Sequence, residues 1–115
     1  MSETILDFGA PLLSTFNEPP PIETMKNALE FVLAVWNAHV MATAIWGKPH
    51  HLEALRKAFE ASPSHREMLD ILGRRWRDHF AEDARAVANW DIIADGKGGH
   101  VSQCDARWPG TPGTA

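Results

Sequence analysis

The stretch from Pro21 to Trp46, PIETMKNALEFVLAVWNAHVMATAIW, decides the fold. From Ala28 to Trp46 only Glu30, Asn37, His39 and Thr43 are polar. At about 100° per residue, Glu23, Lys26, Asn27, Glu30 and Asn37 fall on one narrow stripe, continued towards the C-terminal end by Ala34, Met41 and Ala44. Pro21 suits a helix entry and Glu23 complements the positive end of the dipole. Gly47-Lys48-Pro49 is a helix stop. The pattern predicts a long first helix over about 22–46 that is apolar around most of its circumference. Such a helix is either the centre of its domain or part of a subunit interface. Its length is near the ~20 residues that span a bilayer, but Glu30, Asn37 and His39 would be costly in lipid. A membrane role is therefore disfavoured.

Upstream, Ile5, Leu6, Phe8, Leu12, Leu13 and Phe16 are interrupted by Gly9 and Pro11 and close on Pro19-Pro20-Pro21. Residues 1–21 read as an N-terminal arm laid over the core, with room for one helical turn. Downstream, Pro49 opens a short helix over about 50–60, with Leu52, Leu55, Ala58 and Phe59 facing inward. Ser64-His65-Arg66-Glu67 fits a capping box for a third helix over about 65–81, whose inward stripe is Leu69, Leu72, Trp76 and Phe80. Gly73 lies inside that helix at a cost of ~1 kcal/mol relative to Ala, so a close approach of another backbone is expected there. The segment 82–91 could continue as helix, but Ala86, Ala88, Trp90, Ile92 and Ala94 alternate and Asp95-Gly96-Lys97-Gly98-Gly99 is a turn signal. A β-hairpin over about 85–108 follows, and 109–115 is a flexible tail. The expected class is α+β and mostly helical: three helices, the first long and central, plus a C-terminal β-hairpin in one globular domain over 22–108.

The chain has 115 residues, 44% apolar and 23% charged, the mixture of an ordinary globular domain. A formal net charge of −4 argues against general nucleic-acid binding, which needs a clustered basic face. One cysteine, Cys104, excludes an internal disulfide and a Cys-based zinc cage. Acidic residues in Met-Ser-Glu-Thr-Ile-Leu-Asp stand where a secretion signal carries basic ones, so the expected location is the cytoplasm.

His39 is the most informative single residue. It sits near the middle of the apolar face, with Val32, Val35, Trp36 and Trp46 around it. It is either a general base or ligand in a Trp-lined pocket, or a structural imidazole bonded to a neighbour such as Thr43 or a carbonyl. His-x-x-Glu occurs twice, as His50 with Glu53 and His79 with Glu82, and Asp83 could join His79 at i+4. Imidazole plus carboxylate would suit zinc, iron or manganese. Yet Glu-x-x-His and His-Glu-x-x-His are both missing, and solvated helix faces are the simpler reading. No cofactor is predicted. Arg74-Arg75-Trp76-Arg77 invites a phosphate reading, but Trp76 belongs to the core stripe and Arg74 is spaced to pair with Asp70 and Asp78. Neither Cys104 nor any serine carries a nucleophile motif, and Gly96 to Gly99 reads as a turn rather than a phosphate loop.

The leading expectation is a non-enzymatic interaction or regulatory protein that binds a protein partner or itself as a homodimer. Leu33, Val40 and Ile45, which flank the polar stripe, are the expected contacts. A small metal- or His-carboxylate-dependent hydrolase or ligand-binding protein, working through His39 or His79, is the alternative. A nucleic-acid-binding regulator comes third.

Overall fold

The computed structural model describes residues 2–16, 21–94 and 100–107. The chain is mostly helical, with five helices among the described residues: α1 (Ser2–Phe8), α2 (Ala10–Leu13), α3 (Ile22–Met41), α4 (His50–Ala58) and α5 (Pro63–His79). Two extended segments follow, β1 (Ala86–Ala94) and β2 (His100–Arg107). They pair antiparallel, Ala86 opposite Arg107 and Ala94 opposite His100, with a register shift between Val87 and Asn89. The expected turn at 95–99 and the tail at 109–115 lie outside the described residues.

α3 is the hub. It contacts α1, α2, α4, α5 and β1, and Val32, Val35, Trp36 and Val40 on it are fully buried. These five neighbours wrap its apolar surface, the expected N-terminal arm among them. That arm forms two short helices where one turn was expected. Ile5 and Phe8 of α1 are buried against the hub. Gly9 brings the chain so close that an added Cβ would lie 2.7 and 2.9 Å from the two methyl groups of Val32. Phe8, Trp36 and Phe80 meet edge to face in all three pairings, at ring separations of 5.2, 5.7 and 5.5 Å. Each such pair adds about 0.5–1.5 kcal/mol beyond its burial, and together they tie α1, α3 and the end of α5.

α3 ends at Met41, earlier than the expected 46. The Thr43 hydroxyl donates to the Val40 carbonyl at 2.7 Å, a local bond of the kind that competes with the helical ladder. The chain then turns until Gly47, at φ +66°, lets it leave. The rest of the hub's polar edge has a use that periodicity did not reveal. The Asn37 side chain donates to the Val87 carbonyl at 3.1 Å and accepts from the Val87 N–H at 2.8 Å, which seats β1 on α3. The Trp36 and Trp46 indoles donate to the carbonyls of Arg85 and Ala84, at 2.7 and 2.8 Å. Backbone groups entering the strand are thus paired by side chains from α3 and the turn that follows it.

α5 begins two residues earlier than the capping-box reading placed it. Pro63 takes the first helical turn, where its missing N–H costs nothing, and Ser62 stands at the cap. The Ser62 hydroxyl meets His65 Nδ1 at 2.6 Å, and the His65 ring stacks on Phe59 at 4.6 Å, closing the α4–α5 corner. The Ser64–Glu67 box is therefore not the cap. On the hub, α4 packs through the half-buried Leu52 and Leu55, with Phe59 at its end, and no residue within it is fully buried. Among the described residues, no helix is long and apolar enough to cross a membrane.

Candidate functional site

His39 comes from the last full turn of α3, and the helical face of α5 formed by Leu69, Asp70, Gly73, Trp76 and Arg77 lies against it. These spacings of three and four residues put the five on one side of α5. The His39 ring stacks on Trp76, 5.5 Å between centroids and 21° from parallel. Both residues are more than nine-tenths buried, at 7% and 6% exposure. The tryptophan against the imidazole is thus Trp76, not Trp36 or Trp46, which turn towards the strand.

Gly73 has a specific reason to be glycine. A Cβ there would lie 3.1 Å from His39 Nε2, 3.2 Å from His39 Cε1 and 3.6 Å from Arg77 Nη1. The close approach expected at this glycine is made by a side chain, not by another backbone. Two nitrogen-bearing groups therefore converge on the space a methyl would occupy. That space belongs to a cleft of about 60 Å³ bounded by His39, Leu52, Arg56, Leu69, Asp70, Gly73 and Arg77. A broader groove of about 770 Å³ between α4 and α5 shares Arg56, Leu69 and Asp70 with it.

The imidazole is electrically unusual. Burial, then the charges of Arg77 and Arg56, lower its pKa from 6.5 to about 4, so at neutral pH it is uncharged, with one N–H to donate and one lone pair to accept. Among the described residues, no hydrogen bond reaches either ring nitrogen. The Thr43 hydroxyl that could have satisfied it is committed to Val40. Of the buried side-chain nitrogens and oxygens among the described residues, Trp76 Nε1 is the one without a hydrogen-bond partner. Around the cleft, Arg56, Arg77 and Asp70 are exposed. Among the described residues, the ion pairs are Arg75–Asp7 and Arg85–Asp83, so these three charges are not tied to one another.

The structure disperses the other singled-out residues. His50, Glu53, His79 and Glu82 are exposed, and no three His, Cys, Asp or Glu residues among the described ones could hold a metal ion together. Asp83 is engaged elsewhere: its carboxylate takes the Arg85 guanidinium at 2.6 Å and the Arg85 N–H at 3.0 Å. Burial pushes that carboxyl up, but the hydrogen bonds and charge of Arg85 outweigh it and hold the pKa below the usual value.

Of the three expected interface residues, Leu33 and Val40 are core, at 3% and 0% exposure, and Ile45 faces solvent at 67%. The arginine run splits as well. Arg75 binds the Asp7 carbonyl and carboxylate and lies over Phe80, and Arg77 borders the cleft. Arg74 forms no ion pair with Asp70 or Asp78 among the described residues. The side-chain surroundings of Cys104 lie outside the described residues. Compared with protein-family models, with curated proteins and with solved structures, the chain finds no match.

Proposed function

We propose that this chain is a small ligand-binding protein whose site is the His39 cleft at the junction of α3, α4 and α5. One observation carries the reading: an imidazole more than nine-tenths buried, with neither nitrogen hydrogen-bonded among the described residues, borders a cleft rather than a packed wall. Among the described residues, the buried polar side-chain atom left unpaired is Trp76 Nε1, under the same ring stack; such a group costs roughly 1–3 kcal/mol, and a ligand that bonds it recovers that cost. The groove alongside has the size of a small-molecule site, which is commonly about 300–1,000 Å³.

The alternative of an interaction protein rested on apolar surface left bare on the first helix, and the burial of Leu33 and Val40 removes most of that surface. Ile45 is the contact that reading retains.

A ligand screen by NMR tests the proposal. Mixtures of small organic acids, amides, amines and alcohols are added to the isotopically labelled full chain, and the ring signals of His39 and Trp76 are followed. The expected result is saturable shifts at both rings with at least one compound. Shifts confined to other parts of the chain, or none at millimolar concentrations, would overturn the reading.

A further inference from the structure

If the His39 cleft is a binding site, its chemistry is selective, and we infer that it receives a carboxylate group, free or at the end of a longer molecule lying in the α4–α5 groove. The inference rests on the binding role proposed above and adds the class of ligand. Three observations support it.

The first is charge. Arg56 and Arg77 border the cleft and neither is ion-paired among the described residues, so two cations face one carboxylate, Asp70. That balance repels a metal ion and attracts a single negative charge. A dianion such as phosphate is less well matched, because Asp70 stands on the same rim.

The second is the direction of the donors. His39 and Arg77 both line the cleft, and their ends lie close together beside Gly73, His39 Nε2 at 3.1 Å and Arg77 Nη1 at 3.6 Å from where a Cβ would sit. A carboxylate entering the cleft could accept from both, and guanidinium groups hold planar carboxylates with paired N–H donors. The neutral imidazole can donate one N–H without carrying a charge of its own.

The third is size. About 60 Å³ is the share of roughly two water molecules, enough for a carboxylate group and too little for a ring. The groove that shares Arg56, Leu69 and Asp70 sets Arg56, Lys57 and Arg66 against Glu53, Glu60, Glu67 and Asp70, so it gives the uncharged remainder of a longer acid somewhere to lie while the cleft holds the charge.

Acetate and acetamide, nearly identical in shape, separate charge from shape. Each is titrated into the full chain at constant ionic strength, with the His39 ring signals as readout. Acetate is expected to shift them saturably and to bind at least about tenfold more tightly than acetamide, since charge-assisted bonds are roughly twice as strong as neutral ones. Arg77→Gln is expected to weaken acetate by about tenfold. Arg56→Gln, on a helix with no fully buried residue, serves as a second variant should the first fail to fold. Hexanoate tighter than acetate would place a longer acid in the groove, and equal affinities would assign the site to a free small acid. Equal binding of acetamide, tighter binding of inorganic phosphate, or indifference to both arginine substitutions would each overturn the inference. A neutral compound that binds in the earlier screen while acetate does not defeats the carboxylate assignment alone. Silence from every compound defeats the binding role with it.

Discussion

Two glycines face the central helix, and what each meets there differs completely. On one side Gly9 lies against the methyl groups of Val32, 2.7 and 2.9 Å from where its own Cβ would be. On the other, Gly73 lies against the His39 imidazole at 3.1 Å. The first contact is dry and continuous with Ile5, Phe8 and the aromatic trio. The second leaves volume beside it, and the group it accommodates is polar and unbonded. Close approach therefore serves packing on the α1 side and opens space on the α5 side. A helix of one sequence can have both kinds of surface because α3 is apolar nearly all round, and the neighbours decide which part is sealed.

The sealed side should be the more costly to disturb. Gly9→Ala drives a methyl into the branched, fully buried Val32, which cannot rotate away as a long side chain would. Overpacking of this kind costs about 1–3 kcal/mol, and the upper end is expected here. Val32→Ala alone leaves a cavity and is also destabilising. Together, the two changes should cost less than the sum of each, by about 1 kcal/mol or more, because one makes room for the other. Urea denaturation of the four proteins measures this coupling. Strict additivity would mean that α1 and α2 do not press on Val32 as described.

The open side should respond to pH instead. His39 has a folded-state pKa of about 4, below its ordinary 6.5. Between those values the unfolded chain binds a proton that the folded chain refuses, so stability falls as pH drops from 6.5 to about 4 and this contribution levels off below. The loss should be roughly 1–3 kcal/mol, since the ring borders a cleft and is partly screened by water. His39→Leu, similar in bulk and without a charge to accept, should lose that portion of the slope. It should also be more stable at pH 5, where the wild-type chain already carries part of the penalty. Thermal or urea melts across pH 4–7 would decide it, and parallel slopes for the two proteins would exclude His39 as their source.

The contrast between the sides was only half legible in the residues. Periodicity located the hub and most of its buried face, because apolar spacing along one helix is a local signal. It also set His39 on the driest side. It put Trp36 and Trp46 around that ring, because spacing along one helix sees only its own residues, whereas the packing of α5 brings Trp76 there instead. It could not show that Asn37, read as wet edge, would pair with both backbone groups of Val87. An amide in a helix looks the same from its sequence whether water or a strand satisfies it. The N-terminal arm was underrated for a related reason: Gly9 and Pro11 look like breaks, whereas here one permits contact with Val32 and the other sits in the first turn of α2. Gly73 was the one local clue to the cleft, because a glycine inside a helix demands an explanation, but the group it made room for lay outside the reach of spacing.

The smallest effect is the most discriminating. Gly73→Ala should gain about 1 kcal/mol from helix propensity and lose a comparable amount by pressing a methyl against His39, so the net change should lie within about 1 kcal/mol of zero. The opposing parts separate in a His39→Ala background, where the ring is gone and the same substitution should stabilise by the full propensity gain. Denaturation of the four proteins gives that difference, and the His39 ring signals should shift in Gly73→Ala if the methyl touches them. Equal stabilisation in both backgrounds would show that the glycine does not make room for the imidazole, and the space between His39 and Arg77 would lose its structural cause. Unequal stabilisation would tie that space to one backbone position, in contrast to Gly9, where removing the obstructing side chain uncovers no comparable polar group.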